Sequence, residues 1–333
     1  MHVGLVGAGR IGAVHAHTLA RLERVRLTVA DVDRAAAERV AAAVGAEAAE
    51  SAEELVAGGV DALVIATPTP AHAPLVRLAA AAGLPAFCEK PVALELAELD
   101  AVIADVDRAG TLVQVGFQRR FDHGYRAARD AVADGSVGTM LALRAATHDP
   151  SPPPEAYIER SGGIFRDLHI HDFDAIRFVT GLEIEQVYAD GTVRESPWFG
   201  RYDDVDAAAA VLRLAGGPLA VLTGTRHDPL GYDVRLEVFG TGDSVGVGLD
   251  RRTPLRSVER GVEYARNGYR SFVDRFADAY RAELEAFVDI ARGAGESPCS
   301  LREARAALVA AIAADRSRAT GRPVSTGEIG AGG

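Results

Sequence analysis

His2-Val-Gly-Leu-Val-Gly7-Ala-Gly9-Arg10-Ile11-Gly12, followed at the end of the next apolar run by Val29-Ala-Asp31, is the stretch on which the reading of the first third of this chain turns. A short apolar strand runs into three glycines, a helical pattern follows, and a second strand ends in a carboxylate. Gly7 permits the tight turn, Gly9 lets backbone amides approach a pyrophosphate, and Gly12 lets the helix pack against the strand. The first helical turn, with Arg10 and Ile11, presents unpaired N–H groups and a positive dipole end to phosphates. In this order the elements predict a dinucleotide site. Asp31 can accept hydrogen bonds from ribose hydroxyls and would repel a 2′-phosphate, which favours NAD over NADP. Asp33 is a rival for that role, and Arg34 would soften the preference. A carboxylate at a strand end also serves simply as a turn former.

At 333 residues the chain is long enough for about two domains. Its composition, 48% apolar and 25% charged, is that of an ordinary globular protein. A net charge of −11 argues against nucleic acid, which requires a basic footprint. Cys88 and Cys299 make no disulfide framework and lie outside metal-ligand spacing; they read as small buried hydrophobes. No apolar run reaches the ~20 residues needed to span a bilayer. The cofactor strand begins at residue 2, so no leader is expected and the cytoplasm is the expected compartment.

Strand and helix patterns alternate up to residue 118. Apolar runs fall at Val25–Ala30, Ala62–Thr67, Ala86–Glu89 and Leu112–Gly116, separated by helical stretches such as Ala71–Ala82 and Leu94–Ala109. Continuous apolar strands alternating with helices predict a parallel sheet covered on both faces, an α/β Rossmann domain over 1–118. Ligands in such sheets bind beyond the carboxyl ends of the strands, which singles out Thr67 and Glu89-Lys90-Pro91. Beyond Phe117 the grammar changes. Strand-like runs at Thr139–Thr147, Ile184–Val193, Ala207–Leu214, Leu219–Thr225, Asp233–Phe239 and Ser244–Leu249 follow one another across Gly/Pro turns. They predict a large, mostly antiparallel open sheet in an α+β domain over 119–333, closed by helices at Phe272–Arg292 and Leu301–Arg318. A face carrying Val211, Leu222 and Val238 is expected to be covered by another subunit.

Lys90 stands at a predicted strand end, where an ammonium can stabilise a developing alkoxide. The second constellation is Gly162-Gly-Ile-Phe-Arg-Asp167-Leu-His-Ile-His171-Asp-Phe-Asp174. If it is helical from about Asp167, residues four apart share a face, so Asp167 and His171 point together with Asp174 a turn beyond. A histidine near its ordinary pKa takes a proton at neutral pH, and a carboxylate beside it favours the charged form. An alcohol losing hydride needs such an acceptor. His169 faces another way and is expected to sit behind the reacting groups or to line the pocket. His169, His171 and Asp172 could instead bind zinc, but a nicotinamide leaves no need for a metal. His15 and His17 read as surface or packing residues. Arg119, Arg120, His148 and Tyr232 lie in segments that could reach the same cleft, with polar groups suited to a polyol.

Gly7-x-Gly9-x-x-Gly12, Glu89-Lys90-Pro91 and Gly162-Gly-x-x-x-Asp167-x-x-x-His171-Asp-x-Asp174, in that order, resemble the Gfo/Idh/MocA oxidoreductases over nearly the whole chain, and within them the inositol 2-dehydrogenases. The resemblance implies a dimer or tetramer assembled through the open sheet, Lys90, Asp167 and His171 as the catalytic trio, and Arg120, His148 and Tyr232 as substrate contacts. His169 departs from the small residue often found at its place, which bears on substrate choice. The activity implied is oxidation of myo-inositol at C2 to 2-keto-myo-inositol, with hydride passing to NAD. A different sugar, scyllo-inositol or an aminocyclitol are neighbouring alternatives. A non-catalytic dinucleotide sensor is a remote one, because a sensor has no use for a proton acceptor.

Overall fold

The computed structural model of the chain describes residues 1–262 and 267–330. Met1–Gln118 and Asp278–Arg305 form its first unit. In that unit β1 (His2–Val6), α1 (Arg10–Leu19), β2 (Arg26–Ala30), α2 (Arg34–Val44), β3 (Glu47–Ala49), α3 (Ala52–Ala57), β4 (Ala62–Ile65), α4 (His72–Ala81), β5 (Ala86–Glu89), α5 (Leu96–Ala109) and β6 (Val113–Gly116) alternate. The sheet runs β3-β2-β1-β4-β5-β6 with every pairing parallel. Each residue of β4, β5 and β6 is buried, the reason these strands read as unbroken apolar runs. Strand order reverses between β1 and β4, and the chain leaves those two strands at Gly7 and Ala66-Thr67.

The second unit, Arg119–Ala277 and Ala306–Gly333, is built from α6 (His123–Ala133), β7 (Met140–His148), α7 (Glu155–Ser161), α8 (Gly163–Asp167), α9 (Ile170–Thr180), β8 (Ile184–Thr192), β9 (Ala207–Leu214), β10 (Leu219–Thr225), β11 (Asp233–Gly240), β12 (Ser244–Val247) and α10 (Phe272–Arg275). Two long helices, α11 (Ala277–Ala291) and α12 (Leu301–Thr320), a short β13 (Val324–Ser325) and a last helix α13 (Thr326–Gly330) follow. Its seven strands run β12-β11-β7-β10-β9-β8-β13. All neighbours are antiparallel except β7 and β10, which three helices and two strands separate in the chain.

Three expectations are corrected. The second domain is not continuous over 119–333, because Asp278–Arg305 packs with the first unit, where Leu284, Phe287 and Val288 of α11 enter the core beside Phe87, Val3 and Leu5. An amphipathic pattern shows that a helix has an apolar face, not which sheet receives it. The helix expected over Phe272–Arg292 breaks at Phe276, whose backbone leaves the helical region and whose ring is buried. Val211, Leu222 and Val238 do not share a face: Leu222 and Val238 are in the interior, while Val211 pairs with Val221 and both are exposed. With a side-chain period of two, the outer face instead carries Tyr188, Val211, Leu219, Val221 and Phe239, aligned across β8, β9, β10, β7 and β11.

Phe287→Ala removes a fully buried ring contributed by a segment remote from the strands it covers. The variant is expected to lose about 3–5 kcal/mol of stability in the first unit, measured by chemical denaturation. Loss of under about 1 kcal/mol would contradict this placement of α11.

Candidate active site

In the first unit the glycine turn is shaped by close approach. Gly7 has φ +106°, and a Cβ there would lie 2.5 Å from the Ala66 carbonyl oxygen; a Cβ on Gly12 would lie 1.9 Å from that of Gly7. A Cβ on Gly9 would meet nothing within 4 Å, so the turn is bare backbone on its open side. No side-chain cap hydrogen bond is made at Gly9, and α1 turns the positive end of its dipole, with Arg10 and Ile11 in its first turn, towards an anion. A pyrophosphate fits this cradle. Asp31 Oδ2 accepts from the Ala8 N–H (2.6 Å) and Oδ1 from the Asp33 N–H (2.8 Å), so the carboxylate is held beside the turn. Its rival Asp33 caps α2 through Ala35, and Arg34 is paired with Glu38 and Glu50. Thr67 lies two residues past β4.

Glu89 closes β5, and the following Lys90–Pro91 peptide is cis. Lys90 is half-buried, and its backbone N–H lies 3.3 Å from Glu89 Oε2. Of the surface or packing roles expected of His15 the structure takes the second, its fully buried ring standing edge-on to Phe87 and Tyr280, and adds a contact from Nε2 to Glu89 Oε1 at 2.7 Å. Lys90 is also the only lysine among the chain's 36 basic residues; every other is an arginine. An ammonium is a compact point charge, whereas a guanidinium is a planar fork.

The constellation around His171 in the second unit is not one helix. α8 ends at Asp167, the N–H groups of Leu168 and His169 both donate to the Ile164 carbonyl, and α9 begins at Ile170. His171 is the second residue of α9 and is half-buried. Behind it lies a network closed to water. Arg119, Thr147, His169 and Asp172 are each at most 1% exposed. Arg119 donates to Asp172 and to Thr147 Oγ1 (3.0 Å), Thr147 donates to Asp172 Oδ1 (2.8 Å), and His169 Nδ1 meets Asp172 Oδ2 at 2.8 Å. Burial by itself would raise the Asp172 pKa, but the Arg119 charge and the His169 contact hold it down at about 2. His169 therefore lies in the interior rather than along a pocket. A Cβ on Gly224 would fall 2.4 Å from its Cε1. Arg120, expected at the substrate, is buried with its guanidinium forked onto Asp174 (2.9 and 2.6 Å) and against the Phe178 ring.

Asp167 is 8% exposed and accepts from Tyr157 Oη (2.8 Å) and from Arg226 (2.9 Å). No motif pointed to either partner. The Asp167 charge, with burial, pushes the Tyr157 phenol well above its ordinary pKa, so it stays a donor. Burial opposes the charge on Arg226, yet Asp167 and Asp149 outweigh it and raise its pKa. His148 ends β7, half-buried, with Nδ1 2.9 Å from Thr225 Oγ1. That hydroxyl donates to the His227 carbonyl, so the network assigns the proton to His148 Nδ1 and a lone pair to Nε2. Burial lowers the His148 pKa and keeps the ring neutral at pH 7. Tyr232 precedes β11, whose first residue pairs with His148, and its buried ring lies edge-on to Phe272 and Phe276. Gly224, Thr225 and Arg226 at the exit of β10 thus touch His169, His148 and Asp167 in turn. Among the described residues, no group of three or more His, Cys, Asp or Glu is arranged to hold a metal ion.

Residues 1–117 match the profile of an oxidoreductase family with an NAD-binding Rossmann fold, and residues 125–245 match the GFO/IDH/MocA C-terminal domain. A myo-inositol dehydrogenase of Streptomyces leeuwenhoekii is 41% identical over 324 residues, 96% of this chain and 98% of the relative. A myo-inositol 2-dehydrogenase of Thermotoga maritima is 36% identical over 334 residues, 99% of each chain. The solved structure of a scyllo-inositol dehydrogenase from Lactobacillus casei, with NAD(H) and scyllo-inositol bound, superposes with a TM-score of 0.90 at 28% identity, covering 98% of this chain and 99% of that one.

The Asp172 carboxyl, held at about 2 in the fold against 3.8 for an unperturbed aspartate, contributes stability that is complete above pH ~4 and is lost as pH falls through about 2. The stability difference between wild type and Asp172→Asn, from urea denaturation at a series of pH values, should be constant above that range and shrink below it. A difference independent of pH down to ~2 would contradict the pairing.

Proposed function

The chain belongs to the Gfo/Idh/MocA oxidoreductases, and we propose that it is an NAD-dependent dehydrogenase of a cyclic polyol that oxidises myo-inositol at C2 to 2-keto-myo-inositol. The observation that carries this reading is similarity to a myo-inositol dehydrogenase along 96% of the chain. Agreeing with it are a glycine cradle that fits a pyrophosphate and a carboxylate at the end of β2. Bound NAD supplies the hydride acceptor. Gly7, Gly9 and Gly12 admit its phosphates, with Arg10 and Ile11 in the amide-bearing turn, while Asp31 selects the ribose without a 2′-phosphate. Thr67 and Glu89 line the strand ends of the cofactor crevice.

His171 takes the proton of the substrate hydroxyl. Asp167, held by Tyr157 and Arg226, orients His171 and favours its charged form. Lys90 stabilises the oxygen as charge develops on it. Tyr232 and the lone pair of His148 Nε2 meet substrate hydroxyls, each of which is both donor and acceptor. Arg120 acts at one remove, through Asp174 and the seating of α9. Scyllo-inositol is the second substrate to assay, because a structural relative binds it.

Large apolar side chains on the outer face of the second sheet support a homo-oligomer, a dimer or tetramer joined through that face. No helix among the described residues is long and apolar enough to cross a membrane. For an NAD-linked polyol dehydrogenase of this kind we assign the cytoplasm.

NADH formation with myo-inositol and NAD is expected to exceed that with NADP. His171→Ala should lower kcat by ~10²–10⁴-fold while NAD binding persists, and Lys90→Arg should lower kcat although the positive charge is kept. Full turnover by His171→Ala would remove it from the proton path; inactivity of the wild type on every cyclic polyol would remove the substrate class. For the assembly, Val221→Glu places a charge on the outer face and should shift the mass measured by light scattering towards the monomer. A wild type that is already monomeric would exclude the oligomer.

A further inference from the structure

His72 is the first residue of α4 and is 1% exposed. Its Nδ1 lies 2.8 Å from the Pro91 carbonyl oxygen and its Nε2 2.7 Å from that of Thr67. Both partners accept only, so each contact needs an N–H; a neutral imidazole has one and the imidazolium has two. In its protonated form the ring therefore ties the chain leaving β4 to the chain leaving β5, and in its neutral form it donates to one of the two. On the other side, His15 of α1 meets the Glu89 carboxylate at 2.7 Å, and the second oxygen of that carboxylate faces the Lys90 N–H. A ring that merely filled space would need neither nitrogen at a carbonyl.

We propose that His72 and His15 are positioning residues that grip the Glu89-Lys90-Pro91 turn from opposite sides and set where the Lys90 ammonium stands for the reaction. The inference rests on the proposed role of Lys90. Through His15 the turn is coupled to the helix that follows the phosphate cradle, and through His72 to the Thr67 exit. Burial lowers the His72 pKa and outweighs the two carbonyls. Of the charges acting on the ring, Glu89 favours its protonated form and Lys90 opposes it. The double contact is thus complete on the acid side and loses one hydrogen bond as pH rises through that lowered pKa.

The test compares wild type, His72→Phe, His72→Gln and His15→Phe. Because Lys90 is the sole lysine, acetylation of its ε-amine by acetic anhydride, followed by mass spectrometry, reports its setting without turnover. His72→Phe and His15→Phe should lower kcat by ~10-fold or more, with NAD affinity from calorimetry within about threefold of wild type. The acetylation rate of Lys90 should change by at least about threefold in both, and His72→Gln, which retains donors, should recover part of each loss. The kcat ratio of wild type to His72→Phe should be largest in acid and fall as pH rises, a trend that a purely structural role would not produce. Unchanged acetylation in folded His72→Phe and His15→Phe overturns the inference, as does a kcat loss that only follows loss of NAD affinity. If no polyol is turned over even by the wild type, the role assigned to Lys90 fails while the acetylation rates still decide whether the turn is gripped. Should His72→Phe not fold, His72→Gln and His15→Phe carry the same readouts.

Discussion

A guanidinium buried beyond the reach of water requires a carboxylate, and the pairing of Arg119 with Asp172 is the contact on which the second unit is arranged. Either charge alone in that interior would be costly. Together, with Thr147 and His169 satisfying further hydrogen-bonding positions, they seat the first turn of α9 against β7. One residue before Asp172 on that turn is His171. Arg120 and Asp174 repeat the arrangement at the next positions, so two successive arginines hold two acids of one helix. His171 inherits its place from charges that take no part in the proposed chemistry.

The exit of β10 does comparable work. Gly224 yields its side-chain volume to the His169 ring, Thr225 fixes the tautomer of His148, and Arg226 meets Asp167. Three consecutive residues at one strand end therefore address three histidine or carboxylate groups. Rigid sheet ends are where such a set can be held without the drift of a loop. In the first unit the same logic applies at β1, β4 and β5, whose exits carry the glycine cradle, Thr67 and Lys90. Position 90 is distinguished further by its chemistry. A chain that uses arginine at every other basic position uses lysine there, a compact ammonium in place of a planar guanidinium.

Much of this was legible beforehand. Unbroken apolar strands alternating with helices predict a parallel sheet, and β4, β5 and β6 are buried throughout for that reason. The run of strands after residue 139 predicts the open sheet, with strand limits within a residue or two for β7 to β11. Misreadings arose where a local pattern has two solutions. The helix over Phe272–Arg292 has an apolar face that suits either core, and its larger part serves the first unit. Val211 and Leu222 belong to neighbouring strands whose register cannot be read from either run alone, and the pairing of Val211 with Val221 places them on opposite faces.

Glycine spacing, strand-end carboxylates and the order of three motifs are properties of short segments, and the sequence by itself determined the two fold types, the NAD-binding architecture and the family from them. The tertiary structure alone decided the partners. Arg119 and Asp172 are 53 residues apart, and His15 and Glu89 are 74 apart. His169 and His15 were ambiguous as isolated letters because burial and pairing are conferred by distant segments packed against them. Periodicity records which way a residue faces along its own element. Which acid meets which base depends on how elements pack, and that is a property of the whole fold.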